Sequence, residues 1–197
     1  KYFGSLHEAR GLRIKVFTEK GEQKINFTPD YRYDAIRFSF KPFSIHQSLN
    51  YLPENLDYLI WTDADLRCKK NFEASDMLEF MPNSEEVMSY LGRKDSYSEC
   101  GFLGFNMKNK NTKNYIHRVI NIYQTGEIFS LNQWHDSYIW DYVRKEYEKS
   151  NDSKFKDISG EGFNYEHVYI KSGLDKYFDH LKGPRKKDGS SSSSDRS

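Results

Sequence analysis

Four apolar residues, Tyr58-Leu59-Ile60-Trp61, run almost directly into two carboxylates, Asp63 and Asp65. A short, nearly continuous apolar run is the sequence form of a strand buried on both faces of a parallel sheet. Such a strand, ending in two acids, needs something to offset their charge. In extended chain, residues i and i+2 point to the same side, so Asp63 and Asp65 are expected to converge while Ala64 faces away. Converging carboxylates repel one another unless a cation lies between them. Hard oxygen ligands suit Mg²⁺ or Mn²⁺, ions that keep positions open for waters and a substrate's phosphates. An ordinary strand exit, with the carboxylates capping the next turn, is the competing use of the same residues. The apolar strand directly before them favours the metal.

The rest of the chain alternates strands with helices, as an α/β domain requires. Ile14 and Val16 alternate with Arg13, Lys15 and Phe17, which predicts a strand over residues 12–18. The polar stretch 19–34, with Gly21 and Pro29, reads as a loop. Ile36, Phe40 and Phe43, followed by Ile45, Leu49 and Leu52, predict a helix that stops near Pro53, with a boundary or kink demanded by Pro42. Further strands are expected at 87–91 and 101–105, and helices at 112–123, 136–147 and 172–178. The expected architecture is a mixed, mainly parallel sheet flanked by helices, with ligands bound beyond the carboxyl ends of the strands. One domain is expected over residues 1–188, and the serine-rich residues 189–197 read as a disordered tail.

Composition removes several function classes. Thirty Lys and Arg against 29 Asp and Glu leave no bulk charge for coating nucleic acid, so no obligate nucleic-acid partner is expected. No apolar run approaches the ~20 residues of a membrane span. Two cysteines cannot build a disulfide framework, and reduced thiols point to a cytoplasmic setting.

A second segment bears on the first. His180-Leu181-Lys182-Gly183-Pro184-Arg185-Lys186 offers an imidazole ligand, a glycine where backbone can approach a ligand, and cations suited to phosphate. Taken alone, a histidine beside a basic loop is more often a solvated surface feature. Together, the Asp-x-Asp after an apolar strand and the late His-x-x-Gly-x-x-Lys resemble the GT-A-type, metal-dependent nucleotide-sugar glycosyltransferases, in particular the glycogenin-like retaining ones. The ending 179–186 is also similar to that of uncharacterised phage and marine-bacterial proteins of this class.

That resemblance implies a GT-A, Rossmann-like fold and a set of roles. Asp63, Asp65 and His180 would hold Mn²⁺ (or Mg²⁺), while Gly183 and Lys186 meet the donor's diphosphate. Lys41 and the neighbouring Arg37 would contact donor phosphate or sugar, and Glu99 and Gly101 would line the sugar pocket. Asp136 would stand beside the anomeric carbon as nucleophile, as stabiliser of oxocarbenium character or as a hydroxyl acceptor. The same aspartate is equally placed to cap the helix that follows it. Trp134 and His135 would face the acceptor, though a buried Trp is more often core. The implied reaction moves a sugar from a uridine diphosphate-linked donor, with retention, to an acceptor that is a glycan, lipid, protein or modified nucleobase. The family's first strand, which holds the nucleotide base, would precede residues 13–18; only twelve residues stand there, so that strand is expected to be missing. A metal-dependent phosphoester hydrolase and a non-catalytic sugar- or nucleotide-binding domain are the other classes open to these residues.

Overall fold

The computed structural model describes residues 12–19, 22–150, 153–160 and 168–181. The chain divides into two compact units, one of residues 1–52 and 114–143 and the other of 53–113 and 144–197.

The first unit opens with a hairpin. Strand β1 (Leu12–Glu19) pairs antiparallel with β2 (Glu22–Pro29), in a register that runs from Leu12 opposite Pro29 to Glu19 opposite Glu22. The expected loop over 19–34 is therefore largely a strand. Helix α1 (Ala35–Ser48) follows, its first turn capped by the Asp34 carboxylate, which accepts from the Arg37 N–H at 3.1 Å. The helix runs unbroken through Pro42 and ends before Leu49, so the expected boundary at that proline is absent. Pro42 forgoes one backbone hydrogen bond and is itself buried. Helices α3 (Thr112–Gln124) and α4 (Asp136–Lys149) match the expected ones closely; in this unit they bury Tyr115, Tyr123, Ile139 and Trp140. Tyr115 donates its hydroxyl to the Trp140 carbonyl at 3.0 Å, giving a buried polar group its partner.

The second unit holds a four-stranded sheet of β3 (Tyr58–Thr62), β6 (Glu99–Asn106), β5 (Glu86–Leu91) and β7 (Lys154–Asp157), in that order. The sheet is mixed, as expected, but mostly antiparallel: β3–β6 and β5–β6 are antiparallel, and β5–β7 alone is parallel. The expectation of a mainly parallel sheet is corrected by connection length. Residues 92–98 join β5 to β6 directly, and so short a link cannot make the crossover that parallel neighbours need. Every residue of β6 is buried. Strand β3 is not buried on both faces, contrary to its apolar sequence. It has β6 as its sheet partner among the described residues, and Ile60 is exposed.

Two small elements complete this unit. Strand β4 (Leu66–Cys68) pairs antiparallel with β8 (Phe178–His180). The short helices α2 (Ala74–Met77) and α5 (Val168–Lys171) contribute to a core of Met77, Phe80, Met81, Leu91, Phe102, Tyr169 and Leu174. The helix expected over 172–178 does not form. Gly173 sits at φ 81°, in the left-handed region that ends α5, and a single 3₁₀ turn at Leu174–Lys176 leads into β8.

Candidate metal centre

The site is assembled by two ladders. Beyond the last residue of β3, the Asp63 N–H donates to the Gly101 carbonyl at 3.0 Å, extending the pairing with β6. The chain then turns, and the Leu66 N–H closes on the Asp63 carbonyl at 3.1 Å. Asp63 and Asp65 thus converge around a tight turn rather than along extended chain, which corrects the expected route but not its result. The turn delivers Leu66 into β4, opposite His180 in β8. The Leu181 N–H donates to the Asp65 carbonyl at 3.1 Å, and the Lys69 N–H to the Tyr177 carbonyl at 2.8 Å, one on each side of the ladder. An Arg67–Asp179 ion pair at 3.2 Å lies across the same two strands. This register places a histidine from the end of the chain against the acid turn.

One ligand atom from each of Asp63, Asp65 and His180 lies within 4.8 Å of the other two. His180 is buried, and both aspartates are half-buried. His180 Nε2 stands 3.1 Å from Asp65 Oδ1. Ligand bonds of ~2.1 Å at right angles put neighbouring donors ~3.0 Å apart, so the spacing fits two ligands of one octahedral ion. Two carboxylate oxygens and one imidazole nitrogen suit Mn²⁺, and Mg²⁺ through the oxygens.

Neighbouring groups hold Asp63 and His180 in place. The Trp61 indole N–H donates to Asp63 Oδ1 at 2.9 Å. Gly101 makes room for the imidazole: a Cβ there would stand 2.6 Å from His180 Cε1 and 3.0 Å from Nδ1. The buried Tyr169 ring meets the His180 ring edge-on at 5.0 Å, and its hydroxyl donates to the Gly101 carbonyl at 3.0 Å. Burial first, and then the Asp63 and Asp65 carboxylates, push the Tyr169 phenol far above its usual range, so it stays protonated. Glu99, buried and ion-paired with Arg93, accepts the Gly101 N–H at 3.3 Å. Of the residues expected to line a sugar pocket, Glu99 and Gly101 therefore adjoin this centre.

Five further expected site residues, Arg37, Lys41, Trp134, His135 and Asp136, belong to the first unit. Lys41 Nζ pairs with Asp136 Oδ2 at 2.9 Å, with both side chains largely buried. Asp136 opens α4, where a negative charge is favoured by the helix dipole. Its Oδ1 also accepts the Ser137 N–H at 2.9 Å, so it satisfies one first-turn donor of the helix. His135 Nδ1 accepts the Tyr138 N–H at 3.2 Å, so His135 caps the helix. With Nδ1 accepting, the ring proton is assigned to Nε2, which donates to Gln133 Oε1 at 2.8 Å. Burial lowers the His135 pKa against the opposing pull of Asp136 and Asp141. Trp134 packs edge-on against Tyr33 and Phe129, and its indole N–H donates to the Leu131 carbonyl. Arg37 is exposed, with its guanidinium over the Phe38 ring. Gly183 and Lys186 lie outside the described residues.

Sequence reasoning missed Trp61, Arg93 and Tyr169. Trp61 was findable, because it shares a strand face with Asp63 at i+2. Nothing in the sequence connects Tyr169 or Arg93 to this place. No protein-family model matches the chain, and no curated protein sequence matches it.

Proposed function

We propose that the chain is a metal-dependent glycosyltransferase of GT-A type, taking a sugar from a nucleotide-sugar donor. The observation that carries this reading is the meeting of Asp63, Asp65 and His180 in one cluster. The two aspartates just past the end of β3 suit the GT-A reading. The reading takes Mn²⁺ or Mg²⁺ as the cofactor, a uridine diphosphate sugar as the donor and retention as the outcome. The last two rest on the resemblance.

Asp63, Asp65 and His180 would hold the ion. When bound, the ion supplies Lewis-acid stabilisation of the charge that grows on a diphosphate leaving group. The chain's own residues do the rest. The Trp61 indole fixes the Asp63 carboxylate, and the β4–β8 ladder fixes His180. Glu99, anchored by Arg93, presents a carboxylate that can accept sugar hydroxyls. Lys186 and Gly183 are proposed to meet the diphosphate. Asp136, paired with Lys41, is the proposed group beside the anomeric carbon. Arg37 is proposed as a further donor contact, and Trp134 and His135 as acceptor contacts.

A hydrolase that works with two metals needs further carboxylates. Among the described residues one three-ligand group is present, which favours the transferase reading. No helix among the described residues is long and apolar enough to cross a membrane, and neither cysteine is in a disulfide; the proposed setting is cytoplasmic. Incubation with UDP-sugars and Mn²⁺, without acceptor, tests the function. Slow release of free sugar and UDP, abolished by Asp65→Asn, is the expected result. No turnover, with binding of UDP and Mn²⁺ retained, would favour a non-catalytic binding domain.

A further inference from the structure

The Gly101 carbonyl is a meeting point. It accepts the backbone N–H of Asp63 and the hydroxyl of Tyr169, each at 3.0 Å. The same tyrosine lays its ring edge-on against His180. The hydroxyl of one buried side chain therefore meets the carbonyl that pairs with Asp63, and its ring meets the His180 imidazole. The hydroxyl acts through β6 on the Asp63 backbone, and the ring acts on the imidazole borne by β8. Gly101 completes the arrangement, because the imidazole occupies the volume that a Cβ would fill.

The geometry points to Tyr169 as a positioning residue for the metal centre, setting the distance between the Asp63 turn and the His180 ring through the Gly101 carbonyl. This rests on the metal reading above and adds a residue outside the ligand set. Groups that orient metal ligands from behind change metal affinity by about 10- to 100-fold when removed. Tyr169→Phe keeps the ring and its packing and deletes only the hydroxyl. The Gly101 carbonyl then retains the Asp63 N–H, so the core is not left with an orphaned acceptor.

The test is Mn²⁺ affinity, read by the loss of the free-ion electron paramagnetic resonance signal. It is measured on the wild-type chain, Tyr169→Phe, Tyr115→Phe and Asp65→Asn, with thermal unfolding recorded for each without metal. Tyr115 is the matched control, since its buried hydroxyl also donates to a carbonyl at 3.0 Å but lies in the first unit. The expected result is about a tenfold weaker dissociation constant for Tyr169→Phe and an unchanged one for Tyr115→Phe, at similar losses of melting temperature. Wild-type affinity in Tyr169→Phe overturns the positioning role and leaves the metal reading intact. Equal weakening in both tyrosine variants also overturns it, because the effect is then only lost stability. A wild-type chain that binds no Mn²⁺, or an Asp65→Asn chain that binds as well as wild type, removes the metal reading and this inference with it.

Discussion

His180 lies opposite Leu66 in the β4–β8 ladder, and that register brings its Nε2 to 3.1 Å from Asp65 Oδ1. The contact depends on backbone pairing as much as on side-chain attraction. Weakening the ladder should therefore weaken the site even where no ligand is touched.

Arg67→Ala tests this dependence. It removes the cation that pairs with the buried Asp179 across β4 and β8. Arg67 is half exposed but Asp179 is buried, so the substitution strips a buried carboxylate of this cation and the loss in stability should exceed the ~1 kcal/mol of a surface pair. Mn²⁺ affinity should fall several-fold beyond what the stability loss explains. Calorimetric titration showing unchanged affinity would mean that the ladder does not set the ligand geometry.

Gly101→Ala should push its new Cβ into the His180 ring, since 2.6 Å is far inside contact distance. Overpacking of this kind costs about 1–3 kcal/mol. In a His180→Ala background the ring is gone, and the same substitution should cost little. A double-mutant cycle on thermal or urea unfolding measures the coupling. Equal cost in both backgrounds would place the glycine's role elsewhere.

His135 should make stability depend on pH. Burial lowers its folded-state pKa below the unfolded imidazole value of ~6.5. As pH falls through that value the unfolded chain takes up the proton first, so the contribution is fully present above ~6.5 and is lost on acidification. The slope for one such group is at most about 1.4 kcal/mol per pH unit. Protonation at Nδ1 would also remove the acceptor that caps α4. His135→Asn keeps a capping acceptor without a titrating ring. Unfolding free energies between pH 6.5 and 5 should therefore slope less steeply in this variant than in the wild type. His46, lowered by burial and by His117, titrates in both chains and cancels in the comparison.

Much of this was legible in the sequence, for identifiable reasons. Helices α3 and α4 show clear spacing of buried side chains, and their predicted starts at Thr112 and Asp136 agree with the structure. Asp63 and Asp65 stood out because acids directly after an apolar run are costly, whereas His180 was joined to them through the late His-x-x-Gly-x-x-Lys segment and the resemblance it carries. Strand β2 was missed although Ile25 and Phe27 alternate with Lys24, Asn26 and Thr28; the polar residues around them outweighed a two-residue signal. Apolar content misled at β3, where Tyr58 packs on the core yet Ile60 faces outward, because composition does not reveal whether a strand has one partner or two. Strand direction was misjudged for the same reason, since pairing depends on which connections are short. Tyr169 was beyond reach, because its role depends on a carbonyl whose position only the fold determines.

The central claim is that Asp63, Asp65 and His180 bind one divalent ion. Titration of the wild-type chain and of Asp65→Asn with Mn²⁺, followed by calorimetry, tests it most directly. The account predicts saturable binding near one ion per chain in the wild type and its loss, or weakening by at least tenfold, in a variant that melts at nearly the same temperature. Absence of saturable binding in the wild type, or equal affinity in Asp65→Asn, would contradict it.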